Sequence, residues 1–418
     1  MNDTRQLRLL KRIATRMSGE TAEMETLLRA REDYQPAYDS FLQLARNLAD
    51  PLQPPVSGDS GGRKPLGLFC VQAPLELVHA AGFQPFRIFC GSYAAGNLAS
   101  GNLPALICPL IRSIMGMLLG RNRADGHRNG NPNPPLVLPT TCDWVVGLPQ
   151  IMDLSGLPQV EEIHWLEMPH FRETTKSRQR WLQEVHSLKE FLEKISGQKI
   201  TRANLAASIA LYQRAFALVT TLSSLRSEGR LASVWFFLLL NTLLAAPLEE
   251  WLENVEKLIA QLPPKEDERP RVFLAGSPIF FPNFKLPLLM EEAGLFLAGD
   301  DICSAERFLP GRIAVSDPSM AGMLEALAQH YHQGCLCPVF ADNERRVHNI
   351  LGQRHQKKIS GVVFIVLKGC HPYDLESYTL EKQLKDEGLS FLRLESDYSA
   401  EDNRNLLTRL EAFRHTLR

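Results

Sequence analysis

Eight cysteines, at 70, 90, 108, 142, 303, 335, 337 and 370, give this 418-residue chain its main chemical potential. Disulfides rarely persist in a reducing compartment, so metal ligation, redox chemistry and plain burial compete as explanations. Three of the thiols stand apart by position. Cys108 precedes Pro109 and a helical run, Cys142 closes a strand-like run in LPTTCDW, and Cys370 follows GVVFIVLKG and precedes a helix opened by Asp374 and Glu376. Their neighbours are Pro, Thr, Gly or Asp, as at turns. Pro109 suits a first helical turn, whose positive end favours the thiolate of Cys108. Three thiolates from separate loops in one crevice would bind a cubane iron–sulfur cluster and leave one iron without a protein ligand. Structural cysteine is the rival reading. It accounts adequately for Cys70 and Cys90, at apolar strands, and the CxC of Cys335 and Cys337 also fits a buried turn.

Other candidates are weaker. Asp300 and Asp301 beside Cys303 suit a metal or acid/base site, or helix capping after a strand. His79, His164 and His371 are dispersed and read as structural. There is no GxGxxG after a strand and no GxxxxGK[ST], GxSxG or HExxH, which leaves dinucleotide, P-loop, hydrolase-elbow and zincin readings without support.

The elements that must position these thiols follow from periodicity. Short apolar runs alternate with amphipathic stretches over 61–172 and again over 269–418, which predicts two duplicated doubly wound α/β domains with parallel sheets of the Rossmann or flavodoxin-like kind. In such sheets ligands collect at the carboxyl ends of strands, where Cys142 and Cys370 fall. Residues 173–268 read as an intervening helical segment, and 1–60 as an N-terminal helical extension ending in a Pro/Gly/Ser linker over 51–65. Within the extension one helix carries Leu7 to Met17 and a second Met24 to Leu28; 91–102 reads as a loop, and 121–135 as an exposed one. A hydrophobic fraction of 44% and a net charge of −1 suit a folded protein without a nucleic-acid or membrane partner. No signal peptide is evident, so a cytoplasmic location is expected, and the apolar run Leu231 to Ala246 reads as a core helix.

From about residue 64 to 414 the chain resembles the subunits of the 2-hydroxyacyl-CoA dehydratase and benzoyl-CoA reductase family, of the 2-hydroxyglutaryl-CoA dehydratase D-component type. The stretches that carry the resemblance are GLFCVQAPLELVHAAGFQPFRI, LPALICPLIRS, LPTTCDW, RVFLAGSPI, LAGDDICSAER, CPVFADNERR, LKGCHPYDLE and LRLESDYSAEDNRNLLTRLEAF, in the family's order. The resemblance implies a 4Fe–4S cluster on Cys108, Cys142 and Cys370. It also implies a separate ATP-hydrolysing iron–sulfur activator that passes one low-potential electron, through the cluster, to an acyl-CoA thioester, forming a ketyl radical. Among matched positions Glu76 and Ser277 are candidate catalytic residues at the crevice, although Glu76 also suits a first helical turn and Ser277 a plain turn. Arg307 and Arg346 are candidates for CoA phosphates, or simply face solvent.

Members of the family work as heterodimers of two related chains. CPLIRS and CHPYDLES are also similar to a sister group of homodimers that carry a double-cubane 8Fe–9S cluster and reduce small molecules with ATP. A non-catalytic partner subunit with the same fold is the third reading, and the presence of all three cysteines counts against it. The N-terminal extension lies outside the resemblance and is assigned to assembly.

Overall fold

The computed structural model describes residues 3–50, 62–99, 103–104, 106–124, 134–154, 162–263, 267–309, 311–341 and 344–417. Two sheets of four parallel strands carry the fold. β1 (Lys64–Leu68), β2 (Phe83–Arg87), β3 (Leu136–Pro139) and β4 (Ile163–Leu166) lie in the order β2-β1-β3-β4. β5 (Arg271–Gly276), β6 (Phe296–Asp301), β7 (Gly361–Leu367) and β8 (Ser390–Ser396) repeat it as β6-β5-β7-β8. The duplicated, doubly wound α/β architecture expected from the alternating pattern is therefore present.

Helices fill every crossover. α1 (Asp3–Arg29) and α2 (Asp39–Ala49) precede the first sheet; α3 (Leu75–Ala80), α4 (Tyr93–Ala99), α5 (Pro109–Ala124), α6 (Asp143–Val146) and α7 (Leu148–Leu154) connect its strands. Four helices separate the sheets: α8 (Thr175–Ser196), α9 (Arg202–Ser227), α10 (Ser233–Thr242) and α11 (Leu248–Ile259). In the second half α12 (Lys285–Glu292), α13 (Met320–Gly334), α14 (Glu344–Lys357), α15 (His371–Asp386) and α16 (Asn403–Thr416) play the part of the first set.

The local chemistry explains the boundaries. All seven residues of β7, GVVFIVL, are buried, because both faces of an interior parallel strand are covered and the run has no need to alternate. Thr174 and Thr201 start α8 and α9 by accepting hydrogen bonds from the backbone N–H of Ser177 and Asn204. α9 is long and apolar enough to cross a membrane on length and composition alone. It instead packs against α3, α10, α11 and α13 and carries a buried Arg226 paired with Asp300 at 2.6 Å. α10 is the core helix read from the 231–246 run.

Three expectations change. Met17, Met24 and Leu28 belong to one continuous α1, since their spacing of seven and four keeps them on a single buried helix face. The expected loop over 91–102 contains α4, which packs along α5. α5 runs on to Ala124, into the start of the loop expected over 121–135. Most of that loop and of the 51–65 linker lies outside the described residues.

In each sheet the chain leaves its first strand in one direction for the second and returns on the other side for the third. The carboxyl ends of β1 and β3, and of β5 and β7, therefore flank the two points where the winding reverses.

Candidate functional site

Three loops meet at those reversal points. The turn after β7 brings Cys370 to the N-cap position of α15, the turn after β3 brings Cys142 to the N-cap of α6, and Cys108 immediately precedes Pro109 at the start of α5. Gly369 holds the first and third together. Its φ of +74° suits glycine, and a Cβ there would lie 2.3 Å from the carbonyl oxygen of Leu106. Trp144 ties in the second by donating its indole N–H to the Gly369 carbonyl at 3.1 Å. All three sequence-predicted thiols thus share one crevice, and all three pack in or against one apolar cluster.

Each thiol sits where a helix begins, with backbone N–H groups turned toward it: Leu110 and Ile111 for Cys108, Trp144 and Val145 for Cys142, Tyr373 for Cys370. Cys370 donates its S–H to Cys108. That bond holds Cys108 below the ordinary thiol range against the opposing effect of burial, and pushes Cys370 well above it. Burial pushes Cys142 up to about 11, and the neighbouring thiol of Cys370 adds to the rise.

Ser277 belongs to the same site. Its hydroxyl accepts a hydrogen bond from the Leu367 N–H at 3.0 Å and another links it to Cys370, while its own N–H donates to Ile365 O at 2.8 Å. Glu76 makes its contacts elsewhere. It is buried on α3, where its carboxylate accepts from the Tyr331 hydroxyl at 2.9 Å and its backbone carbonyl from Ser208 Oγ at 2.7 Å. Burial pushes its pKa up to about 7.

The arginines also differ from expectation. Arg307 and Arg346 are buried, not turned to solvent. Arg346 pairs with Asp301 and Glu376, and Arg307 with Asp301 at 3.0 Å and with the Tyr373 hydroxyl at 2.6 Å. Asp300 caps the turn after β6, accepting from the N–H of Ile302 at 2.9 Å and of Glu306 at 3.1 Å, while it pairs with Arg226. The helical turn that follows has Ala305 at its N-cap and no side-chain cap, so Asp300 braces the turn and holds an ion pair instead of capping a helix.

Sequence reasoning missed a second group of thiols. Cys70 and Cys303 follow β1 and β6; Cys70 lies within electrostatic reach of Cys303, Cys335 and Cys337, and Arg307 within reach of Cys303, Cys335 and Cys337. A hydrogen bond from Cys335, with Arg307 and Arg346 nearby, lowers Cys337 to about 6. The available signal was that Cys70 and Cys303, like Cys370, sit just past the carboxyl end of a strand.

Among the described residues no group of three or more His, Cys, Asp or Glu side chains is spaced to hold a single metal ion. A cubane spreads its ligands over separate corners, wider than a single ion does, and would hold Cys108 and Cys370 farther apart than their present hydrogen bond. The donor set nevertheless fits such a cluster: three soft sulfurs, each on a different loop, each facing backbone N–H groups that favour anionic sulfur.

Comparison with known proteins gives the family. Residues 70–417 match the family described as 2-hydroxyglutaryl-CoA dehydratase, D-component. The chain is 24% identical to the (R)-phenyllactyl-CoA dehydratase beta subunit of Clostridium sporogenes, over 85% of this chain and 92% of that one. It is 24% identical to a benzoyl-CoA reductase subunit of Thauera aromatica, over 79% and 84%. Identity to the (R)-2-hydroxyglutaryl-CoA dehydratase beta subunit of Acidaminococcus fermentans is also 24%, over 85% and 93%.

Proposed function

Because the chain belongs to the 2-hydroxyglutaryl-CoA dehydratase D-component family, we propose that it is an iron–sulfur subunit of a 2-hydroxyacyl-CoA dehydratase or benzoyl-CoA reductase type of enzyme. The observation that carries the reading is the convergence of Cys108, Cys142 and Cys370 on one crevice through the Gly369 turn and the Trp144 hydrogen bond. A 4Fe–4S cluster on these thiolates would supply one strongly reducing electron, received from an ATP-dependent iron–sulfur activator, to an acyl-CoA thioester.

The chain's own residues do the positioning. Backbone N–H groups at three helix starts stabilise anionic sulfur, Ser277 orients Cys370, and the apolar packing around Cys108 keeps water from the centre. Glu76, held by the Tyr331 hydroxyl, is the candidate for proton handling. The relatives are named as subunits, which supports a homologous second chain in a heterodimer. Exposed Leu106, Val146, Leu375 and Tyr378, which neighbour the three cysteines in sequence, support a surface covered by another subunit. A homodimeric double-cubane 8Fe–9S reductase is the second reading, favoured by the CHPYDLES stretch.

Iron and acid-labile sulfide per chain, measured with EPR on protein purified without oxygen, test the proposal against Cys142→Ala. About four irons per chain, lost in the variant, are expected. About eight per homodimer with a spectrum unlike a single cubane would favour the second reading. No iron after anaerobic reconstitution would leave a non-catalytic subunit.

A further inference from the structure

Tyr398 lies in the turn after β8, and its ring packs in the same apolar cluster as Cys108, with Cys142 and Cys370 against that cluster. The residue is 8% exposed, and its shielded hydroxyl has no hydrogen-bond partner. Its backbone is anchored: Asn283 Nδ2 donates to the Tyr398 carbonyl at 3.0 Å, and Lys285 Nζ to the next carbonyl, that of Ser399, at 2.7 Å. Burial pushes the phenol well above its ordinary range, and the thiols of Cys108, Cys90, Cys370 and Cys303 push it the same way, so it remains a neutral O–H donor.

A buried hydroxyl without a partner is costly, and an acceptor is what it lacks. Cys108 is the foremost of the sulfurs within electrostatic reach, ahead of Cys90, Cys370 and Cys303, and with Cys370 it belongs to the candidate site. We infer that the Tyr398 hydroxyl donates a hydrogen bond to a cysteine sulfur of the Cys108/Cys370 pair when the site holds its cluster, and thereby raises the cluster's reduction potential. This rests on the iron–sulfur reading above. Its physical basis is that a donor to sulfur favours the reduced, more negative state over the oxidised one. Tyr398 is thus a positioning residue for the electron. The competing partner is water, since Tyr398 also lines a cavity of about 740 Å³ with Glu20, Tyr93, Asn283 and Lys285.

The test is an anaerobic redox titration of reconstituted wild type and Tyr398→Phe, followed by EPR, with iron and sulfide counted in both. The expected result is unchanged iron and a lower midpoint. At a fixed poise the ratio of reduced to oxidised cluster falls about tenfold, which for one electron is 59 mV. In the reduced wild type, pulsed EPR shows an exchangeable proton coupled to the cluster, which disappears in the variant. Placing 3-fluorotyrosine at 398, a stronger donor of nearly the same size, moves the midpoint the other way and serves if the phenylalanine variant fails to fold. Iron present with an unmoved midpoint in both substitutions overturns the inference alone and assigns the hydroxyl to water. Absence of iron from the wild type overturns the inference together with the iron–sulfur reading.

Discussion

Glu76 shows how a residue's setting changes its chemistry. An acid in the first turn of a helix is ordinarily ionised and favoured there, but on α3 burial outweighs the Tyr331 hydrogen bond and raises its pKa to about 7. The folded state therefore holds a proton that the unfolded chain releases near pH 4.5. Stability is fully present below that value, is lost as pH rises toward about 7, and stays reduced above it. The loss is on the order of 3 kcal/mol. Glu76→Gln keeps an acceptor for Tyr331 and removes the charge. Its urea midpoint is expected to be nearly flat between pH 5 and 8 relative to wild type, and to exceed wild type at pH 8. A variant that tracks wild-type pH dependence would show that another group carries it.

At the scale of elements, the site depends on the turn between β7 and α15. The strand is pinned on both sides, by β5 and β8, and Gly276 at φ +111° brings the β5 end so close that a Cβ there would lie 2.0 Å from Ile365 O. Gly369 does the same for the loop that carries Cys108. Gly369→Ala must either distort a left-handed turn or push the Leu106 carbonyl away, and each response separates Cys108 from Cys370. A loss of about 1–3 kcal/mol in urea unfolding is expected, with less iron bound per chain under conditions that load the wild type. Wild-type stability and loading would show that the loop's position is set elsewhere. A buried ion network braces the other side of this turn: Arg346 on α14 joins Asp301 at the end of β6 to Glu376 on α15. Such a network fixes geometry more reliably than it adds stability.

At the scale of the whole molecule, the N-terminal helices belong to the body of the protein. Met17, Met24, Leu28, Tyr38, Phe41 and Leu42 are buried in the same cluster as Trp235, Phe284 and Leu274, and Tyr38 stacks on Trp235 with ring centroids 4.0 Å apart. Arg31 reaches Glu291 on α12 at 2.6 Å, and Glu20 accepts from the Ala94 N–H at 2.8 Å, so the extension bridges both halves. Removing residues 1–50 forfeits these large buried side chains, among others, at roughly 1.5–3 kcal/mol each, comparable with the roughly 5–15 kcal/mol that holds a domain folded. The truncated chain is expected to lose its cooperative thermal transition by circular dichroism and to show red-shifted tryptophan emission. A wild-type transition would instead make the extension a detachable assembly element.

The sequence by itself determined the duplicated α/β architecture, because continuous apolar runs such as GVVFIVL and their helical partners encode burial through local periodicity. It also singled out Cys108, Cys142 and Cys370, because turn residues beside a thiol mark an element end. The expected helix boundary between Met17 and Met24 and the expected loop at 91–102 fail, because nothing local distinguishes a break from a face that keeps packing. Tertiary structure alone decided that Cys370 touches Cys108 and Ser277, that Arg307 and Arg346 are buried with carboxylates, that Cys70, Cys303, Cys335 and Cys337 gather nearby, and that Glu76 meets Tyr331. Most of these contacts join residues tens to hundreds of positions apart. Their partners are set by how the two sheets and the helices between them pack, which no short window of sequence contains.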